Sequence, residues 1–100
     1  MSVYFVLTQT ITDPDRYSEE YIPAVMPFLA KYGGEVLAAD FQATPLQGEP
    51  AAGAVIVKFP SESSLREFLD DPTYQPIKAL RLSITTNANA VMVPEFQPPK

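Results

Sequence analysis

The sequence contains no histidine and no cysteine. Without histidine, the chain lacks the usual general base near neutral pH, the Ser-His-Asp triad, and the common ligand for haem, zinc, copper and non-haem iron. Without cysteine, it can form no disulfide, thiolate nucleophile or zinc–thiolate site. Acid–base chemistry is left to carboxylates, tyrosines and lysines. We therefore expect neither a metal site nor a bound cofactor.

Basic residues are also scarce, since Lys and Arg together number 7 and the net charge is −5. They are scattered along the chain and form no basic stripe, so we expect neither nucleic acid nor an anionic membrane surface as a partner. No apolar run approaches the roughly 20 residues of a membrane-spanning helix. The N-terminus has no basic segment typical of a signal peptide. We expect a cytoplasmic protein.

The hydrophobic patterning of the chain predicts a β-α-β-β-α-β order within one domain over residues 1–95, followed by a tail at 96–100. Pro23 and Pro27 fall inside the first helix and predict a kink or two abutting helical pieces. Residues 83–89 are polar and are predicted to be partly loop. The predicted elements are strands at 3–9, 35–41, 54–59 and 90–93, a helix from Asp13 to Gly33, a helix from Ser61 to Asp71, and a short helix beginning at Pro76.

This order is the ferredoxin-like pattern, which predicts an α+β fold: a four-stranded antiparallel sheet with helices on one face. The other face of the predicted sheet is also apolar, because Tyr4, Val6, Ile56 and Met92 are assigned to it. A monomer would expose that patch to water. We therefore expect the chain to form a homodimer through its sheet.

Five segments together resemble the family catalogued as domain of unknown function 1330. They are TDPDRY at 12–17, LAKYGG at 29–34, VKFPS at 57–61, FLDDPTYQ at 68–75 and IKALR at 77–81. The resemblance implies a dimeric α/β barrel, in which two ferredoxin-like sheets close on each other. That group includes monooxygenases, isomerases, dehalogenating and haem-handling enzymes, and plain ligand-binding modules. This chain has Ala38-Ala39-Asp40 where family members often carry an arginine in the second strand.

Arg81 is the strongest candidate for a ligand contact. It follows an apolar helical stretch and lies near the last strand, where its planar fork can bind a carboxylate. The alternative is a structural salt bridge to Asp70, Asp71 or another acid.

Three tyrosines and one aspartate complete the candidate site. Tyr17 and Tyr21 share one helical stripe, and a hydroxyl facing a cleft could bind or protonate a small carbonyl compound; the alternative is that both are core residues. Tyr74 is expected to line or gate the same pocket. Asp40 could act as a base if it were buried, but an exposed residue at the end of a strand is the alternative.

Three functions fit these observations. The first is binding of a small apolar or weakly acidic molecule in an apolar pocket of each subunit, either between helices and sheet or at the dimer seam. The second is a cofactor-free enzyme, such as an isomerase or monooxygenase, acting on a small carbonyl or carboxylate compound. The third is a purely structural dimerisation module, in which side chains would fill the cleft.

Overall fold

Four strands form one antiparallel sheet in the order β2-β3-β1-β4. The computed structural model describes residues 1–99. Its elements are β1 (Val3–Ile11), α1 (Pro14–Arg16), a π-helical turn (Tyr17–Tyr21), α2 (Ile22–Lys31), β2 (Glu35–Asp40), β3 (Gly53–Phe59), α3 (Glu62–Asp70), α4 (Gln75–Ser83) and β4 (Thr85–Pro94). This architecture confirms the predicted ferredoxin-like α+β fold. Within residues 1–99, no helix is long and apolar enough to cross a membrane.

The core lies between the helices and one face of the sheet. Alternate residues of a strand point to the same face, so every second residue of β1 and β3 meets the helices. The buried apolar side chains of this layer are Val3, Leu7, Tyr17, Tyr21, Val25, Leu29, Val57, Phe59, Leu65, Phe68, Tyr74 and Ile84.

The irregularity predicted from the two prolines takes the form of a π-helical turn. The backbone N–H of Ile22 donates to the carbonyl of Tyr17, five residues back, instead of four. Pro23 follows immediately, in the first turn of α2. A backbone N–H is not required for helical hydrogen bonding at the start of a helix, so its absence from proline costs little stability there. Pro27 lies inside α2. The first helical region therefore runs as three joined pieces, and the wide turn is placed just before Pro23.

The last strand is longer than the sequence predicted. Residues 83–89 were expected to be partly loop, whereas α4 extends to Ser83 and β4 already begins at Thr85. A register shift between Thr8 and Thr10 on β1 marks a bulge in this pairing, and Asn87 on β4 has a positive φ of 53°. β4 is an edge strand and is exposed beyond Thr85. Asparagine and alanine, which occupy 87–90, are uncommon in strands, so the residue types there did not predict one.

The assignment of Met92 to the outer face of the sheet was wrong. Met92 lies directly opposite Phe5, and directly opposed residues of neighbouring strands share a face, so Met92 belongs to the helix side. Val91 and Val93 occupy the outer face instead, opposite Val6 and Tyr4. The strand predicted at 90–93 was only four residues long, so its sequence did not determine which side chains point outward.

Asp71 ties the helical layer together. Its buried carboxylate accepts hydrogen bonds from the Tyr32 hydroxyl (2.5 Å), the Lys31 ammonium (3.1 Å) and both the backbone N–H and the hydroxyl of Thr73 (2.8 and 2.7 Å). These bonds, led by the one from Tyr32, hold the pKa of the Asp71 carboxyl well below its usual range. One side chain therefore joins the end of α2 to the turn between α3 and α4.

We expect Asp71→Asn to lower the free energy of unfolding at pH 7 and to flatten its fall in acid. Because the native pKa is depressed, the stabilisation is fully present above the pKa of the unfolded carboxyl, about 3.9, and is lost as the pH falls below it. Urea unfolding followed by circular dichroism between about pH 7 and pH 2.5 measures both effects. Asp70→Asn is the matched control, since Asp70 is the neighbouring exposed acid. An identical response of the two variants would contradict this role.

Candidate functional site

A cavity of about 150 Å³ opens between the helices and the inner face of the sheet. Met26, Val36, Ala39 and Phe41 line it and are themselves exposed, so they mark its mouth. Its remaining lining is Phe5, Leu7, Tyr17, Tyr21, Ile22, Val25, Leu29, Val55, Val57, Phe68, Tyr74 and Arg81. The wall is apolar apart from three phenol groups and one guanidinium.

The π-helical turn supplies two of these phenols. Tyr17 and Tyr21 stand at its two ends, both are buried, and their ring centres are 5.0 Å apart. Phe41, at the end of β2, packs its ring edge-on against Tyr17 at 5.0 Å. The π turn thus directs two adjacent phenols toward the sheet, beside the mouth of the cavity.

The third phenol comes from the turn before α4. The backbone N–H of Tyr74 donates to the carbonyl of Asp71, and its ring packs on Phe68 with centres 4.4 Å apart. Its hydroxyl lies 3.5 Å from the hydroxyl of Tyr21. Two elements far apart in sequence therefore bring a pair of hydroxyls to one wall of the cavity.

Arg81 reaches the cavity from the last turn of α4 and is only 7% exposed. The hydroxyl of Thr85 donates to its backbone carbonyl at 2.8 Å, which anchors the residue at the helix end. Its Nη1 donates to Oε1 of Gln9 at 3.0 Å, and Nε2 of Gln9 donates to the Tyr17 hydroxyl at 2.9 Å. A buried chain of polar groups thus connects α4, β1 and the π-helical turn.

No acid pairs with this guanidinium among residues 1–99. The three salt bridges of the described chain are Arg16–Glu20, Lys31–Asp71 and Arg66–Glu62. Asp71, an expected structural partner of Arg81, is already engaged by Tyr32, Lys31 and Thr73. Burial of a cation costs several kcal/mol unless it is paired. The structural salt-bridge alternative for Arg81 is therefore absent from the described chain.

Burial keeps the phenols of Tyr17 and Tyr21 protonated. Desolvation raises the pKa of Tyr17, although the hydrogen bond from Gln9 and the charge of Arg81 oppose the shift. Desolvation raises the pKa of Tyr21 much further, with a contribution from Tyr74. Both side chains are neutral at pH 7. They can donate a hydrogen bond or polarise a carbonyl, but they do not supply a phenolate base.

The structure brings together four of the five predicted ligand residues, namely Arg81, Tyr17, Tyr21 and Tyr74. Asp40 does not line the cavity. It is exposed at the end of β2, where its carboxylate accepts a hydrogen bond from the backbone N–H of Gln42 at 2.9 Å. Asp40 therefore has the surface position given above as its alternative.

Gln9 is the residue that the sequence analysis missed. It is 1% exposed and lies behind Tyr17 and Arg81 instead of on the cavity wall. A signal for it was present: Val3, Phe5 and Leu7 define the inward positions of β1, and Gln9 continues their spacing. A polar side chain at an inward strand position requires hydrogen-bond partners inside the protein.

A family model described as a domain of unknown function (DUF1330) matches residues 2–96. No curated protein gives a significant match to the chain. Among solved structures, RPA0582 from Rhodopseudomonas palustris, a protein of unknown function, aligns with a TM-score of 0.74 at 15% identity, over 97% of this chain and 84% of that one.

Two further solved structures share the fold. SnoaB from Streptomyces nogalater, described as a cofactor-independent oxygenase, aligns with a TM-score of 0.70 at 16% identity, covering 97% of this chain and 95% of its own. A protein of unknown function from Thermobifida fusca, described as dimeric and ferredoxin-like, aligns with a TM-score of 0.53 at 16% identity, covering 92% and 89%. Identities this low show a common fold and do not transfer an activity.

Proposed function

The chain belongs to the family described as domain of unknown function 1330, and from that premise we propose that it is a cytoplasmic homodimer that binds a small, largely apolar molecule in the cavity of each subunit. One observation carries the proposal. Arg81 is buried at a largely apolar cavity and has no acid partner among residues 1–99. A ligand group that pairs with this cation offsets the cost of burying it.

The size and lining of the cavity favour a ligand with an aromatic or short aliphatic body. An apolar cavity of comparable volume in another protein binds benzene. The wall here offers aliphatic and aromatic side chains to such a body, and the three phenols and the guanidinium provide the few polar contacts that orient a ligand. A purely structural pairing module has no need of an open cavity.

The homodimer is proposed from the outer face of the sheet. Ile56 on β3 and Val91 and Val93 on β4 are exposed there, beside the half-buried Tyr4 and Val6 of β1. Apolar residues on three adjoining strands make a continuous patch, which water disfavours. The structural neighbour from Thermobifida fusca is described as dimeric, which supports pairing through the same fold.

A cofactor-free enzyme is the second candidate. It is favoured by the neutral phenols beside a guanidinium, because such donors can polarise a carbonyl oxygen. SnoaB, a neighbour with the same fold, is described as a cofactor-independent oxygenase. The two candidates differ in the fate of the ligand: an enzyme returns a molecule of changed mass after incubation, and a binding protein returns it unaltered.

Native mass spectrometry of gently purified protein tests the binding proposal. We expect a reproducible added mass on each subunit of the wild-type protein, and we expect its loss in Ala39→Phe, which adds a ring at the mouth of the cavity. Ala30→Phe is the matched control, because Ala30 is exposed on α2 and does not line the cavity. If the added mass persists in Ala39→Phe, the ligand binds outside this cavity. If the wild-type protein carries no added mass, the proposal that it retains a bound ligand is contradicted.

The dimer is tested by Ile56→Glu, which places a charge at the centre of the outer face. Burial of an unpaired carboxylate in an apolar interface is strongly unfavourable, so we expect monomers or aggregate. Light scattering coupled to size-exclusion chromatography measures the mass. Leu46→Glu is the control, since Leu46 lies in the β2–β3 connection and is 96% exposed. A dimer of unchanged mass in Ile56→Glu would show that this face is not the interface.

A further inference from the structure

We infer that the cavity selects an oxyanion, a carboxylate or an enolate oxygen carried on a ring-sized apolar body, and that Gln9 sets this selectivity without touching the ligand. The inference rests on the proposed function, because it names the class of ligand that the same cavity takes. The supporting observation is the direction of two hydrogen bonds, one from Arg81 to Gln9 and one from Gln9 to Tyr17.

The direction of these bonds follows from chemistry. A guanidinium can only donate, so the group of Gln9 that faces Arg81 must be its oxygen, Oε1. The amide nitrogen of Gln9 is then fixed toward Tyr17 and donates to the phenol oxygen. Tyr17 therefore accepts from Gln9, and its own hydroxyl proton is left to donate to another group.

The polar part of the cavity therefore holds a surplus of donors. Arg81 makes one side-chain hydrogen bond within residues 1–99, through Nη1, so its other side-chain N–H groups have no acceptor in that part of the chain. Tyr17 has its free proton, and the Tyr21–Tyr74 pair uses only one of its two protons in the bond between them. The described lining contains no aspartate or glutamate to accept from these groups.

Such an arrangement discriminates between ligands by charge and by hydrogen-bond type. A carboxylate or enolate brings only acceptors and a negative charge, so it matches both the donors and the cation. A primary amine brings donors and a positive charge, which face Arg81 unfavourably. A primary amide of the same shape satisfies part of the donor surplus but leaves the cation unpaired.

Gln9 is a positioning residue in this account. Gln9→Glu keeps the shape of the side chain, but its carboxylate pairs with Arg81 inside the protein and so supplies the negative charge that the ligand would bring. We therefore expect the selectivity of the cavity to change even though the lining is untouched. A merely structural role for Gln9 would weaken all ligands alike.

The experiment measures the dissociation constants of benzoate, benzamide and benzylamine by NMR titration of the isotopically labelled full chain. We expect wild type to bind benzoate at least about tenfold more tightly than benzamide, which corresponds to about 1.4 kcal/mol, and benzylamine most weakly. In Gln9→Glu, benzoate affinity should fall by about tenfold or more while benzamide changes by less than about threefold. Gln47→Glu, the same substitution at an exposed position, should match wild type.

Arg81→Met serves as the second variant if Gln9→Glu does not fold, and it should bind benzoate no better than benzamide. Equal affinity of the wild type for benzoate and benzamide would overturn the oxyanion inference and leave small-molecule binding intact. A parallel loss of both probes in Gln9→Glu would overturn the role of Gln9. If no probe shifts the resonances of cavity residues, both the inference and the proposed function fail.

Discussion

The buried guanidinium of Arg81 is the constraint on which the candidate site depends. It stands at an apolar cavity with one hydrogen bond to Gln9 and with no acid partner in residues 1–99. The cost of that burial has to be offset by the polar groups around it or by a molecule that enters from solvent. Through Gln9 the same cation fixes the direction in which the Tyr17 phenol donates. The charge of the cavity and the direction of its hydrogen bonds are therefore both set by Arg81.

The fold positions the three phenols of the site with irregular elements. The π-helical turn widens the first helix just before Pro23 and directs Tyr17 and Tyr21 toward the sheet. π turns inside helices are rare and occur often at functional sites. On the opposite side, Asp71 holds the turn that carries Tyr74 by accepting from Thr73, and it joins that turn to the end of α2. The strands and helices supply the apolar wall and Arg81, whereas the π-helical turn and the turn before α4 supply the three phenols.

Much of this arrangement could be predicted from the sequence because it rests on local patterns. Alternation in β1, the Asp13-Pro14 helix start and the Gly33-Gly34 helix end each depend on a few neighbouring residues. Asp13 accepts from the backbone N–H of Arg16, and Gly33 has the left-handed φ of 75° that suits a helix C-terminus. The helical spacing of Tyr17 and Tyr21 likewise predicted one shared stripe, and both residues are buried.

The remainder depended on long-range pairing that a single sequence does not record. The facing of Met92 is set by its register with Phe5, and the early start of β4 at Thr85 is set by pairing with β1. The hydrogen bond between Arg81 and Gln9 joins residues 72 positions apart. Its effect on Tyr17 depends on which end of an amide faces a cation, and only the folded arrangement determines that.

The most direct test of this account is the free energy of unfolding of Arg81→Met, measured by urea denaturation of ligand-free protein and compared with Arg66→Met at an exposed ion pair. The variant loses one hydrogen bond and leaves Oε1 of Gln9 without its donor, but it also removes a buried cation that has no acid partner. We predict a stability within about 1 kcal/mol of wild type, together with loss of the preference for benzoate over benzamide. A loss of about 3 kcal/mol or more, typical of breaking a buried ion pair, would show that Arg81 serves the fold and not a ligand.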